Sequence, residues 1–313
     1  MKNTIIVWNL ATGEPDAILR GHTLGQRLDG AGGWHPGIGV AGHEYQTVEL
    51  ATWDVLHTLE GHTNCVAALA ALPGGRLASA SYDGTIRVWN AATGRLDIIL
   101  KGAVGRWVCD LALLRDGRLA SGSLDGRVRV WDLVRGQVEV TIGSHTAGIN
   151  ALAVVTDGRL ASGSSDSTIE LWNASDEQLH ATFSEDTGEI NALAVLPDGR
   201  VASGSSNGTV TLWNIASRSV EATLKGHTTS ISALAMLPDG KLASGSMDTT
   251  VKLWDPSKGQ LDTASCALSR SWVSALGARS DGRMASGLSD GSIRLSSPHD
   301  DQVDEMLRGH SNW

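Results

Sequence analysis

Residues 189–214 read EINALAVLPDGRVASGSSNGTVTLWN. Apolar residues in EINALAVL, VASGS and TVTLWN alternate with a period of two rather than the ~3.6 of a helix, which marks short strands. PDG and SNG interrupt them as tight turns, and a fourth alternating run, SVEATL, follows at 219–224. The unit is therefore an antiparallel meander of four strands. Its first turn, Asp198-Gly199, reads as a two-residue hairpin loop, whose residues need positive φ angles. The stretch is also one copy among several. Trp89, Trp131, Trp172, Trp213 and Trp254 each close an equivalent segment and stand 42, 41, 41 and 41 residues apart. LASAS, LASGS or VASGS precedes them, beginning at Leu77, Leu119, Leu160, Val201 and Leu242. A fixed period of this length means one folding unit repeated along the chain. Such a unit buries its apolar face only by stacking on its neighbours.

Side-chain size indicates how the units are arranged. The first two strands of each are rich in Ala, Gly and Ser, whereas the third carries Trp. Sheets packed radially are crowded at the axis and spread outward, so this gradient predicts wedge-shaped blades in a β-propeller, an all-β fold. The repeats run through residues 1–313 without a linker, as one domain. Units are clear over 61–297, degenerate or partial over 1–60, and the last outer strand with a truncated repeat start fills 298–313. TIIVWN near the N-terminus reads as a third strand and DAILRGH as a fourth. The count is seven blades plus an extra hairpin, the alternative being an eighth, incomplete blade built from both termini.

Composition narrows the function. The 313 residues carry 34 acidic against 25 basic side chains, a net charge of −9, which disfavours nucleic acid as a partner because that affinity rests on Lys and Arg. No apolar stretch approaches the ~20 residues of a membrane span. Three scattered cysteines, Cys65, Cys109 and Cys266, make neither a disulfide framework nor a CxxC metal site. They point to a reducing, intracellular compartment, the cytoplasm first and the nucleus not excluded. Phosphate-loop, HExxH and GxSxG motifs are absent, so no cofactor, metal or small-molecule substrate is expected.

Three units share a polar set at constant spacing: His62, Ser79, Asp83 and Trp89; His145, Ser162, Asp166 and Trp172; His227, Ser244, Asp248 and Trp254. Ser, His and Asp together suggest a hydrolase triad. An enzyme needs one such set in one cleft, however, not three around a ring. A buried chain running from Asp through His and Ser to the indole N–H is the stronger reading.

With the Gly-His pairs Gly61-His62 and Gly226-His227 and the ends Trp131-Asp132, Trp254-Asp255 and Trp89-Asn90, the chain resembles the WD-repeat family of β-propellers. It departs from the pattern at Ala103 and Asp186, which replace His, at Asn207, which replaces Asp, and at Ser269 and Ser296 in the last unit. The resemblance implies a non-catalytic scaffold or adaptor for partner proteins or peptides. Binding is expected on the face where the loop before the first strand and the turn after the second emerge. Tyr82, Arg106, Trp107, Leu124, Met247 and Trp272 are its candidate contacts, joined by Cys65, Ser165, Ser206, Ser289 and Trp313. The opposite face should carry a basic ring of Arg76, Arg118, Arg159, Arg200, Lys241 and Arg283, neutralised by neighbouring acids. A substrate-recognition subunit of a larger assembly, such as a ubiquitin ligase or signalling complex, is the second reading. An enzyme with a funnel active site ranks behind both.

Overall fold

Each clear repeat folds as the alternation predicts. In the computed structural model, the described residues are 4–6, 18–19, 27–28, 58–101, 106–173, 176–184, 188–267, 271–278, 283–297 and 303–308. Blade 1 comprises strands Val66–Leu72, Arg76–Ser81, Thr85–Asn90 and Arg95–Lys101, paired antiparallel in that order. Blades 2 to 6 repeat this sheet over 108–142, 149–184, 190–225, 231–267 and 273–308. The first strand of each blade lies beside the first strand of the next, around a common axis. The described residues thus form six four-stranded blades of a β-propeller. No helix among them is long and apolar enough to cross a membrane.

The N-terminal region departs from the meander. Arg27–Leu28 is an inner strand between blade 6 and blade 1, and it pairs with Val66–Leu72 in parallel, not antiparallel. Inner strands of neighbouring blades run in the same direction, so parallel pairing results where two of them come within ladder distance. Thr4–Ile6, expected as a third strand, does pair with Ile18–Leu19 as its fourth. Its other neighbour is Thr58–Glu60, and the three make a separate small sheet. Most of residues 23–54, together with Ala103, Asp186, Ser269 and Trp313, lies outside the described residues.

The hairpin expectation needs correction. In the first turn of blade 2, Leu114 N–H reaches Arg118 O at 2.9 Å and Gly117 N–H reaches Leu114 O at 3.0 Å, which makes a three-residue loop. Only the glycine has positive φ, +85° at Gly117. Asp116 instead keeps an ordinary backbone and accepts Arg118 N–H on its carboxylate at 3.1 Å. The loop is the type I turn with a left-handed Gly that also suits an Asp-Gly pair.

Blades are joined by apolar clusters that cross the gaps. Trp172 of blade 3 shares one apolar cluster with Ala112, Val128, Val140 and Ile142 of blade 2, and Trp254 of blade 5 shares another with Val210, Leu212 and Leu224 of blade 4. A bulge beside each tryptophan aims the ring: Leu171 faces Ala181 whereas Trp172 faces Leu179, so the fourth strand has one residue more. The small residues of the second strand allow close approach from the other side. Polar stitches add to this, with Asn150 Nδ2 donating to Ile190 O at 3.1 Å and Asn191 Nδ2 to Ile231 O at 3.3 Å in the next blade. Blade 6 has Ser296 in place of Trp, and its cluster with blade 5 relies on Val273, Leu276 and Met284.

Candidate functional site

The three polar sets assemble in one geometry. His62 Nδ1 lies 2.9 Å from Asp83 Oδ2, His62 Nε2 lies 2.8 Å from Ser79 Oγ, and Trp89 Nε1–H donates to Ser79 Oγ at 2.8 Å. Around His145 the corresponding distances are 3.1, 2.9 and 3.1 Å, and around His227 they are 2.8, 2.7 and 2.7 Å. With a neutral imidazole every group is paired: the indole donates to Ser, Ser donates to Nε2, and Nδ1–H donates to the carboxylate. Ser79, Ser162 and Ser244 are fully buried. Each hydroxyl oxygen already accepts the indole N–H. The sets hold the turn, the preceding loop and the third strand together.

At His227 electrostatics agree with a neutral imidazole. Burial alone would push the carboxyls of Asp166 and Asp248 up. Hydrogen bonds from the Thr168 and Thr250 hydroxyls, the Thr146 and Thr228 amides and the adjacent histidines outweigh it and hold both at about 2. Asp83 likewise lies well below the usual carboxylate range, where bonds from His62 and Thr85 overcome its burial. Burial lowers the pKa of His227, against the pull of Asp248. A carboxylate at about 2 against ~3.9 when unfolded stabilises the fold fully above pH ~4, and this contribution is lost as pH falls from there through 2. A histidine held below ~6.5 also loses stability on acidification, because the unfolded chain takes its proton first. Denaturation midpoints should therefore fall gently below pH ~6.5 and steeply between ~4 and ~2, with the gentle part reduced in His227→Gln. A midpoint that rises on acidification from neutrality contradicts this proton arrangement.

Blades without the histidine find other partners. In blade 2, Arg129 forms a bidentate pair with Asp125 at 2.6 and 3.2 Å. In blade 4, Trp213 Nε1–H still bonds Ser203 at 2.8 Å, although Asn207 replaces the acid. Two buried carboxylates escaped the sequence reading. Glu170 accepts from the Ser144 hydroxyl, and its Oε2 lies 3.5 Å from His145 Nε2, at a position held by Arg87, Arg129 and Lys252 in other blades. Asp110 accepts Leu111 N–H at 3.0 Å and, across the blade gap, Leu152 N–H at 2.7 Å. Aligning the repeats exposes it, since Ala151, Ala192 and Ala233 occupy its place. Asp110 also adds to the burial that pushes the Cys109 thiol up to about 12.

The rim residues are placed by one recurring bond. The residue before each second turn donates its N–H to the carbonyl just before the first strand. Tyr82 bonds Cys65 at 2.9 Å, Leu124 bonds Trp107 at 3.1 Å, Met247 bonds Ser230 at 2.9 Å and Ser289 bonds Trp272 at 3.0 Å. Tyr82 and Trp107 stack across the gap between blades 1 and 2, with centroids 4.3 Å apart and planes at 15°. Trp107 remains 44% exposed and Leu124 40%. Arg106 is exposed beside them. Met247 and Trp272 are half-buried in blades 5 and 6, apart from this cluster, and Ser165 and Ser206 occupy the equivalent positions in blades 3 and 4. At the other end, Arg118, Arg159 and Arg200 pair with Asp116, Asp157 and Asp198 at 2.6–2.7 Å. Among the described residues, no group of His, Cys, Asp and Glu could hold a metal ion.

The family described as "WD domain, G-beta repeat" matches residues 53–90, 95–132, 136–173, 177–214 and 218–255, together more than half of the chain. The last four matches each begin at or one residue before the fourth strand of one blade and end on the third strand of the next. The repeat of sequence therefore straddles two blades and ties them covalently. "WD repeat-containing protein pop1" of Schizosaccharomyces pombe is 53% identical over 51 residues, which is 16% of this chain and 6% of that protein. "Nuclear distribution protein PAC1" of Arthroderma benhamiae is 31% identical over 123 residues, 34% of this chain and 26% of that protein. The chain thus spans about a quarter or less of the length of these curated relatives.

Proposed function

Because this chain belongs to the WD-repeat family, we propose that it is a non-catalytic scaffold or adaptor that binds partner proteins or peptides on the propeller rim. The observation carrying this reading is the contrast between the two faces. On the rim, Trp107 and Leu124 stay largely exposed while Tyr82 supports the indole. On the opposite face, the arginines of three successive blades are already engaged with carboxylates. Large aromatic and aliphatic anchors on a rigid base are what binding hot spots require, whereas exposed ion pairs contribute little. A closed ring of seven blades suits such a base, and the inner strand Arg27–Leu28 between blades 6 and 1 supports that count. Cys65 and Cys109 are free thiols, in keeping with an intracellular, reducing setting.

Quantitative affinity purification tests the reading. The combined change Trp107→Ala, Met247→Ala and Trp272→Ala should deplete specific partners, with single changes costing about 1–3 kcal/mol in measured affinity and little thermal stability. Changes at Arg118, Arg159 and Arg200 should leave partners bound. Retention after the rim changes together with loss after the arginine changes would move the functional surface to the opposite face.

A further inference from the structure

We propose that the rim sector between blades 1 and 2 docks an acidic peptide segment of a partner protein. One bulky apolar side chain of the segment rests on Tyr82, Trp107 and Leu124, while flanking carboxylates meet Arg106 and Arg127. This deepens the rim reading above and rests on it.

The platform comes first. Trp107 is held by its stack on Tyr82 and, through its carbonyl, by the Leu124 amide, so its exposed area costs little ordering on binding. Arg106 immediately precedes Trp107, and Arg127 ends the turn that follows Leu124. Both are exposed, and neither guanidinium has a hydrogen bond or ion pair among the described residues. Arg76, Arg87, Arg95, Arg115 and Arg218 likewise have no carboxylate partner among the described residues, but they lie outside this sector. Arg118, Arg129, Arg135, Arg159 and Arg200 all pair with carboxylates. Asp125, the acid nearest Arg127 in the turn, is itself committed to Arg129 at 2.6 Å and leaves Arg127 free.

The rest of the molecule sharpens the preference. With a net charge of −9, and with Asp83, Asp166 and Asp248 held ionised in the second turns, an acidic segment is repelled by most of this face. It is attracted where two guanidinium groups, unpaired among the described residues, flank apolar surface. The equivalent places in blades 3 and 4 hold Gly148 with Ser165 and Glu189 with Ser206, which offer neither an apolar anchor nor a cation.

The test uses the full chain and a fluorescein-labelled peptide with a single Phe between short runs of Glu, read by fluorescence anisotropy. Binding should weaken with salt. It should fall by about tenfold or more in Trp107→Ala and in the double variant Arg106→Glu, Arg127→Glu. It should be unchanged in Val134→Ala, an exposed position outside the rim, with thermal unfolding of every variant confirming the fold. A peptide with Lys in place of Glu should not bind. Equal binding of the Lys peptide, indifference to the charge reversal, or no binding of the Glu peptide to the intact chain overturns the proposal. If native partners are still lost on changing Trp107, only the acidic preference has failed. If they are retained, the rim reading itself has failed.

Discussion

Trp172→Ala should lower the stability of the chain by about 3–5 kcal/mol, the range for deleting a buried large aromatic. The ring belongs to the apolar cluster that joins blades 2 and 3, with Ala112, Val128, Val140 and Ile142 of blade 2, so its loss opens the interface rather than one blade's interior. It also removes the donor to Ser162, whose hydroxyl is fully buried. A buried group that loses its partner adds its own desolvation cost. Trp213 provides the comparison. Its indole bonds Ser203 at 2.8 Å, but Ser203 has no histidine to donate to among the described residues. A double-mutant cycle of Trp213 with Ser203 should therefore give weaker coupling than Trp172 with Ser162, where the bond is one link of a longer chain. Chemical denaturation that shows a loss below about 1 kcal/mol for Trp172→Ala would remove the indole from its place in the interface.

Gly204→Val should cost about 3 kcal/mol, the upper end of what overpacking usually does. Gly204 has an ordinary φ, so the reason for glycine is space. A Cβ there would stand 2.5 Å from Ile231 Cγ2 and 3.2 Å from both Ile231 Cβ and Ala192 Cβ. Ile231 is β-branched and fully buried in the next blade, so it cannot swing away. Gly122 and Gly163 meet Ile149 and Ile190 in the same way. Gly245 meets Val273 in blade 6 likewise, whereas blade 1 carries Ala80 at this place. Adding Ile231→Ala to Gly204→Val should recover part of the loss. A single variant as stable as the parent would mean that the second strand of blade 4 and the first of blade 5 are not in contact here.

The repeat itself was legible because every copy states the same local chemistry: alternation, turn glycines, and a Trp at constant spacing. The polar sets were legible for the same reason, since three identical spacings in one chain cannot place different chemistry. What escaped was whatever occurs once. Asp110 and Glu170 are single substitutions in otherwise regular strands, and their roles depend on groups 42 and 26 residues away, Leu152 and Ser144. The turn geometry was misread because an Asp-Gly pair suits both two- and three-residue loops, and the choice is made by the flanking ladder bonds. The Tyr82–Trp107 stack joins two blades, so no single repeat announces it. The parallel pairing of Arg27–Leu28 follows from ring closure, a property of the whole body that no local pattern in residues 23–54 encodes.

The repeated residues build the ring, and the unrepeated ones build the proposed binding rim. Hydrogen–deuterium exchange of the chain alone and in complex with a partner recovered through the intact rim tests that division most directly. Peptides covering 80–85, 106–109 and 122–127 should exchange more slowly in the complex, while those covering 115–118, 156–159 and 198–200 should not change. Protection confined to the second group would place the partner on the face of paired arginines and contradict the account.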